Sequence, residues 1–231
     1  MPAHFEENRL VNLHELIVQH PLGALVTLGA DGLVANHIPF LIDTRFGEHG
    51  SLIGHVARNN RVWHDHRSDT EAMVIFQGPS SYISPNWYPT KQEAHEVVPT
   101  YNYVVVHVYG KIIVHEDPKW LRGVIGKLTK VMEAAQSVPW KMADAPATFL
   151  DSQIENIVGI EIPISRMLGK WKTSQNRVPA DREGAIAGLR ESGDSESLAM
   201  ADLIERVEGI RSRERPRSGG RCRSLQSRTK D

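Results

Sequence analysis

Apolar residues recur along the chain in two periods, and the switches between them mark out the elements. Leu10, Leu13, Leu16 and Ile17 fall on one face of a 3.6-residue period, which predicts an amphipathic helix over 8–19 that His20-Pro21 stops. Branched residues dominate 22–28, Ala30-Asp31-Gly32 supplies a turn and 33–42 returns, so a hairpin is expected. A looser turn at 43–50 leads to a strand over 51–56, a short helix over 60–66 and a further strand over 72–77. Residues 78–98 read as a long connection punctuated by proline, a kind that often carries function. The run 100–115 is the longest strand-like stretch. Asp117-Pro118 then sets an N-cap with proline in the first turn, opening a helix to about Gln136 along the stripe Leu121, Val124, Leu128 and Val131. A second helix is expected over 146–156, a last strand over 158–164, and short helices over 184–189 and 195–207. Closely spaced strands with hairpin connections and helices outside them predict a mainly β (α+β) fold, an antiparallel barrel with peripheral helices over 1–208.

Composition narrows the class. The chain has 231 residues, 40% of them hydrophobic and 24% charged, as ordinary globular proteins do. No apolar run approaches the roughly 20 residues of a membrane-spanning helix. Met1 to Glu7 lacks the basic and apolar regions of a signal peptide, so a cytoplasmic protein is expected. The single cysteine, Cys222, excludes an internal disulfide and a cysteine-built zinc site. A net charge of −1 conceals an asymmetry: 211–231 carries eight basic and two acidic residues, leaving 19 basic and 26 acidic residues, a charge of −7, on the body. An acidic body is a poor partner for the phosphates of DNA, so DNA contact would have to come from a local patch or the tail. Beyond about Gly209 the Arg/Ser/Gly composition lacks the apolar residues to order itself, and 209–231 reads as a basic, disordered tail.

The chemistry concentrates in a few places. His55-Val56-Ala57-Arg58-Asn59 and Arg61 follow a strand, where arginine forks and the N–H groups of a turn suit a phosphate. A solvated strand end fits the same spacing. Tyr82, Trp87 and Tyr88 offer flat surfaces for a ring, with Gln77 and Ser84 as hydrogen-bonding groups; a loop pinned by buried aromatics is the plainer alternative. Thr100, Asn102 and His107 lie on a strand, where buried polar groups need partners from a ligand or a neighbouring strand. The segment 169–177, with Trp171 among Lys170, Lys172, Gln175 and Arg177, reads as a polar binding or surface loop without strand period. His64-x-His66 lacks further metal ligands at supporting spacing, and no nucleophile elbow, Walker loop, zinc-protease or dinucleotide motif is present.

Taken in order, Ala3-His4-Phe5, His20-Pro21-Leu22-Gly23, Asn36-His37-Ile38-Pro39-Phe40, Gly54-His55-Val56-Ala57-Arg58, Phe76-Gln77-Gly78-Pro79, Tyr82-Ile83-Ser84-Pro85, Val98-Pro99-Thr100-Tyr101-Asn102-Tyr103 and Lys172-Thr173-Ser174-Gln175-Asn176-Arg177 make the chain resemble the PaiB-type, FMN-binding negative transcriptional regulators. The resemblance runs over about 3–208. It implies a split β-barrel related to pyridoxamine-phosphate-oxidase-like flavoproteins and a homodimer with FMN at the subunit interface. It places the flavin phosphate at His55 to Arg61 and the isoalloxazine along Asn36, His37 and Ile38. Asn102, Lys172, Gln175 and Arg177 join the expected cofactor contacts. The family usually has tryptophan where Tyr101 stands, and the tail matches nothing in it.

The resemblance leads to an FMN-binding homodimer in negative regulation of transcription. The alternative is a flavin-dependent oxidoreductase acting on a small molecule, with His37, His55 and His107 tuning the flavin or protonating substrate. A barrel holding haem in place of flavin is a third reading.

Overall fold

The computed structural model describes residues 1–214, with side chains as far as Val207; most of the expected tail, 215–231, lies outside the described residues. The described residues form ten strands in chain order: β1 (Glu6–Glu7), β2 (Leu22–Gly29), β3 (Gly32–Pro39), β4 (Leu41–Asp43), β5 (Ser51–Ala57), β6 (Ala72–Ile83), β7 (Thr100–Gly110), β8 (Ile113–His115), β9 (Ile157–Pro163) and β10 (Arg166–Lys172). They make a six-stranded sheet, β1-β10-β7-β6-β2-β3, and a four-stranded sheet, β4-β5-β9-β8. Every pairing is antiparallel. The two sheets close over one core in which Leu25, Phe76 and Val106 meet Leu52, Val158 and Ile160.

The expected antiparallel barrel is present, and two of the differences from the sequence pattern share one cause: strands change sheet. The return strand expected over 33–42 is two strands. Pro39 has no N–H for the ladder, and Phe40, 1% exposed, turns into the core before β4 begins the second sheet. The run 100–115 divides in the same way at Gly110, where a Cβ would lie 2.2 Å from the Pro163 carbonyl. β6 continues six residues past its expected end because a bulge between Gln77 and Ser80 absorbs Gly78-Pro79 without ending the pairing to β7. The last strand is β10, which begins before the segment 169–177 expected to be a polar loop and takes in its first four residues.

Among the described residues seven α-helices pack outside: α1 (Leu10–Gln19), α2 (Val62–Asp65), α3 (Lys91–Ala94), α4 (Pro118–Met132), α5 (Ala147–Glu155), α6 (Pro179–Ser192) and α7 (Ser195–Glu214). α1 buries Leu13, Leu16 and Ile17 in the main core. α6 and α7 close one end of the six-stranded sheet through Leu189, Met200 and Ile204 around Ile83 and Tyr88. α4 begins where Asp117 accepts a hydrogen bond from Trp120 N (2.9 Å), and it lays Val124 and Leu128 against Ile53 on the outer face of the four-stranded sheet. None of the described helices is long and apolar enough to cross a membrane.

Under α4 the register aligns His55, Gly159 and His115 across three strands. The Trp120 ring lies over Gly159, where an added Cβ would come within 2.1 Å of it, and stacks on His115 at 3.9 Å and 9°. Glu161 joins His115 Nε2 (2.7 Å) and accepts from Ser51 Oγ (3.1 Å). His55 lies two residues beyond Ile53 and so shares its face. Its Nδ1 is buried without a hydrogen-bond partner among the described residues, and burial holds its pKa below the ordinary 6.5.

Two expectations follow. Gly159→Ala overpacks the Trp120 contact and lowers stability by about 1–3 kcal/mol, read as a lower urea midpoint at unchanged slope. The depressed His55 pKa means that the unfolded chain takes up its proton first as pH falls. The contribution of neutral His55 is therefore whole above the unfolded value of 6.5 and is lost below it. His55→Gln should flatten the decline of unfolding free energy between pH 7 and 5; an unchanged slope would show that other groups set it.

Candidate functional site

The barrel is split along one seam. β4 pairs with β5 only from Ser51 to Ile53, so β5 beyond that point faces β3 with no ladder between them. Glycine at 54 lets the strands touch, since a Cβ there would sit 3.1 Å from both the Phe40 ring and the Pro39 carbonyl. Asn60 Nδ2 bridges the seam to Asn36 Oδ1 at 2.8 Å. Ile38 and Val56 point into the core, while His37, Ala57 and Asn59 are exposed.

The two arginines of this cluster do different things. Arg58 donates from Nε to Glu155 O (2.8 Å) and from Nη2 to Ile157 O (3.2 Å), and its Nη1 meets Glu116 at 2.6 Å. Its own carbonyl accepts from Trp63 Nε1 at 3.0 Å. Two of the guanidinium nitrogens thus tie the end of β5 to α5 and β9, and the third reaches Glu116 between β8 and α4. Arg61 is 78% exposed, with Asp65 one turn away as its partner (2.6 Å). Arg61 is therefore the more exposed cation of this turn. The neighbouring His64 meets Asp65, and His66 meets the Val62 carbonyl. No three His, Cys, Asp or Glu residues among the described ones cluster as metal ligands.

A second surface is the outer face of the six-stranded sheet. Its register places His37, Ala24, Ile75, His107 and Leu168 in one row and Ala35, Val26, Met73, Tyr109 and Arg166 in the next. Leu22, Leu33 and Leu168 are among its exposed side chains. An antiparallel sheet with one wet face normally turns polar residues outward, and this face does not. Apart from His37 and Gln77, its polar groups gather at the β7–β10 edge, where Lys170 Nζ meets the Tyr103 hydroxyl and Lys172 Nζ meets Thr100 Oγ1. Burial, then the Lys170 charge, holds His107 below its ordinary pKa; burial likewise lowers Lys172, with Lys170 and Arg177 adding to it.

The remaining sequence candidates divide between surface and scaffold. Gln77 opens onto the same face, and Tyr82 packs edge-on to Tyr101 at 5.9 Å. Ser84 caps a short turn by accepting from Asn86 N, and Trp87 fills a notch in α6 that Gly188 leaves, where a Cβ would lie 2.2 Å from its ring. Asn102, 1% exposed, donates to Ser174 Oγ at 2.9 Å. Gln175 folds back to accept from Thr173 N (2.7 Å) and donate to Trp171 O (2.5 Å), and the Arg177 guanidinium lies 4.8 Å from the centre of the Tyr88 ring. Ser84, Trp87, Asn102 and Gln175 thus hold the chain to itself. Asn60 and Tyr103 were not singled out among the sequence candidates, and Lys170 entered only as part of the polar segment 169–177. The alternation Arg166, Leu168, Lys170, Lys172 carried the signal for Lys170, hidden because Gly169 and Trp171 between them face inward.

The chain matches over residues 1–166 the family model described as "Putative FMN-binding domain". It is 32% identical to an uncharacterised protein of Emericella nidulans, covering 86% of this chain and 93% of that one. It is 28% identical to the protease synthase and sporulation protein PAI 2 of Bacillus subtilis, covering 89% and 96%. Among solved structures, the FAD and heme binding protein of Mycobacterium smegmatis superposes with a TM-score of 0.53 at 16% identity, over 79% of each chain. The flavocytochrome Anf3 of Azotobacter vinelandii gives 0.53 at 10% identity, over 72% of this chain and 69% of that one. These two share the fold. With the family model spanning well over half of its length, the chain belongs to the FMN-binding domain family, built on a split antiparallel barrel.

Proposed function

We propose that the protein is an FMN-binding homodimer acting in negative regulation of transcription. The observation that carries the FMN site is the β3/β5 seam, where amide side chains, a turn and the exposed Arg61 meet at a strand edge left without a ladder partner. These groups fit the cofactor: Asn36 and Asn60 match the alternating donors and acceptors of a flavin's pyrimidine edge, and Arg61 matches its phosphate. Bound FMN supplies hydride and single-electron transfer.

The second cluster supports the dimer. In the order β10-β7-β6-β2-β3, Lys172 and the seam lie four strand spacings apart, roughly 19 Å at about 4.8 Å each. One flavin phosphate is not reached from both edges of one sheet. A two-fold axis along the strands, packing the apolar outer faces together, lays the β10 edge of one protomer over the seam of its partner. Lys172 and Arg177 then act in trans, and the half-exposed leucines of this face are covered.

The regulatory part rests on the likeness to the Bacillus sporulation protein, and the acidic body directs it through the flavin or a partner rather than through direct reading of DNA. An oxidoreductase is the second reading. It is favoured by His107, which burial and Lys170 hold below its ordinary pKa on an apolar face suited to a planar substrate. Anaerobic mixing with NADH or NADPH separates them: bleaching of the flavin band, with turnover once an electron acceptor is added, supports the enzyme, and a flavin reduced by neither sinks it.

Arg61→Ala and Lys172→Ala should each weaken FMN binding about tenfold to a hundredfold, the loss of one charge-assisted contact of about 1.5–3 kcal/mol. Arg58→Ala should weaken it together with a lower melting temperature, because the turn comes loose from α5. Heterodimers of one Arg61→Ala chain and one Lys172→Ala chain should regain tight binding at half their sites. Recovery at none would place both contacts in one subunit.

A further inference from the structure

A cavity of about 490 Å³ lies on the far side of the four-stranded sheet, between one flank of α4 and the 136–146 loop that arches over it. It shares no lining residue with the seam. The flank is low because Gly126 has no side chain, and across from it stand Met142, Pro139 and the Trp140 ring, which is 42% exposed. The loop is pinned in place: Glu133 accepts from Trp140 N at 2.9 Å and Asp144 from Lys141 N at 2.8 Å. Glycine inside a helix is unfavourable, and nothing packs close enough to require it, since a Cβ at 126 would sit 3.4 Å from Met142 Sδ. At the rim Lys130 and Lys141 make no ion pair among the described residues. An apolar slot with a flat aromatic wall, of the size that small ligands occupy and with unpaired ammonium groups at its mouth, has the complement of an organic anion with a planar body.

We propose that this cavity is a second ligand site, separate from the flavin seam, and that it takes an aromatic carboxylate. The ring lies between Trp140 and the Gly126 flank, and the carboxylate meets Lys130 and Lys141. A small-molecule site of this kind gives a regulator an input independent of its flavin.

The test uses the full-length, FMN-loaded protein and 2-naphthoate as probe, followed by calorimetry, with neutral 2-methylnaphthalene as the comparison. Saturable naphthoate binding at one site per chain is expected, at least tenfold tighter than the neutral ring. It should fall at least tenfold in the Lys130→Ala/Lys141→Ala double variant and be lost in Gly126→Met, which fills the slot. Gly126→Ala, which strengthens the helix and only narrows the slot, guards against misfolding and should weaken binding less than Gly126→Met. FMN content should not change in any variant. Absence of saturable binding, equal affinity for the neutral ring, or undiminished binding in Gly126→Met would overturn the proposal. So would a change of sedimentation coefficient in Gly126→Met, which would make the slot a subunit contact.

Discussion

The structure depends on two places where the chain leaves one sheet for the other. At Pro39-Phe40 the ladder loses its donor and a phenylalanine drives into the core; at Gly110 two backbones pass too closely for any side chain. Between them these crossings close the two sheets around one core while leaving β3 and β5 side by side without a ladder. A continuous strand at either place would give a larger open sheet and no seam. The feature that makes the fold a split barrel is also the one that leaves backbone and amide groups available to a ligand.

Division of labour among similar side chains follows from where each stands relative to that seam. Arg58 and Arg61 are three residues apart, yet one is spent on two carbonyls and a carboxylate while the other faces water beside a single aspartate. The same separation holds at the other edge of the sheet. Lys172 opens outward, while Asn102 and Gln175 are committed to the turn beyond β10. A charged residue in a binding motif is available to a ligand only when the backbone around it has other means of support.

Both faces of the molecule that are least like ordinary surface are apolar, and they differ in shape. The outer face of the six-stranded sheet is broad and suits another sheet. The slot beside α4 is narrow and rimmed by ammonium groups, which suits a small anion. Between them lies the row His55, Gly159, His115 under Trp120, whose packing ties α4 to the second sheet and makes the position of the slot depend on that of the barrel.

Periodicity along the chain was enough to determine most strands, the amphipathic stripes of α1 and α4, the capped start of α4 and the all-antiparallel character, because these rest on local alternation and local hydrogen bonding. Motif order was enough to indicate the family, and it drew attention to the turn after β5. Sheet membership was beyond its reach: 33–42 and 100–115 each read as one strand-like run, and it is the packing of Phe40 and Gly110 against the opposite sheet that divides them. β10 was illegible for a related reason, since Gly169 is set by the approach of β1 and Leu13 and not by any local propensity. The site was half legible. Residue types suggested the chemistry, but which arginine is the more exposed, which aromatics stand on the surface and which are wedges against α6, and how far apart the two clusters lie are facts of the tertiary structure. They depend on partners distant in sequence, and a side chain's availability is decided by what those partners leave unused.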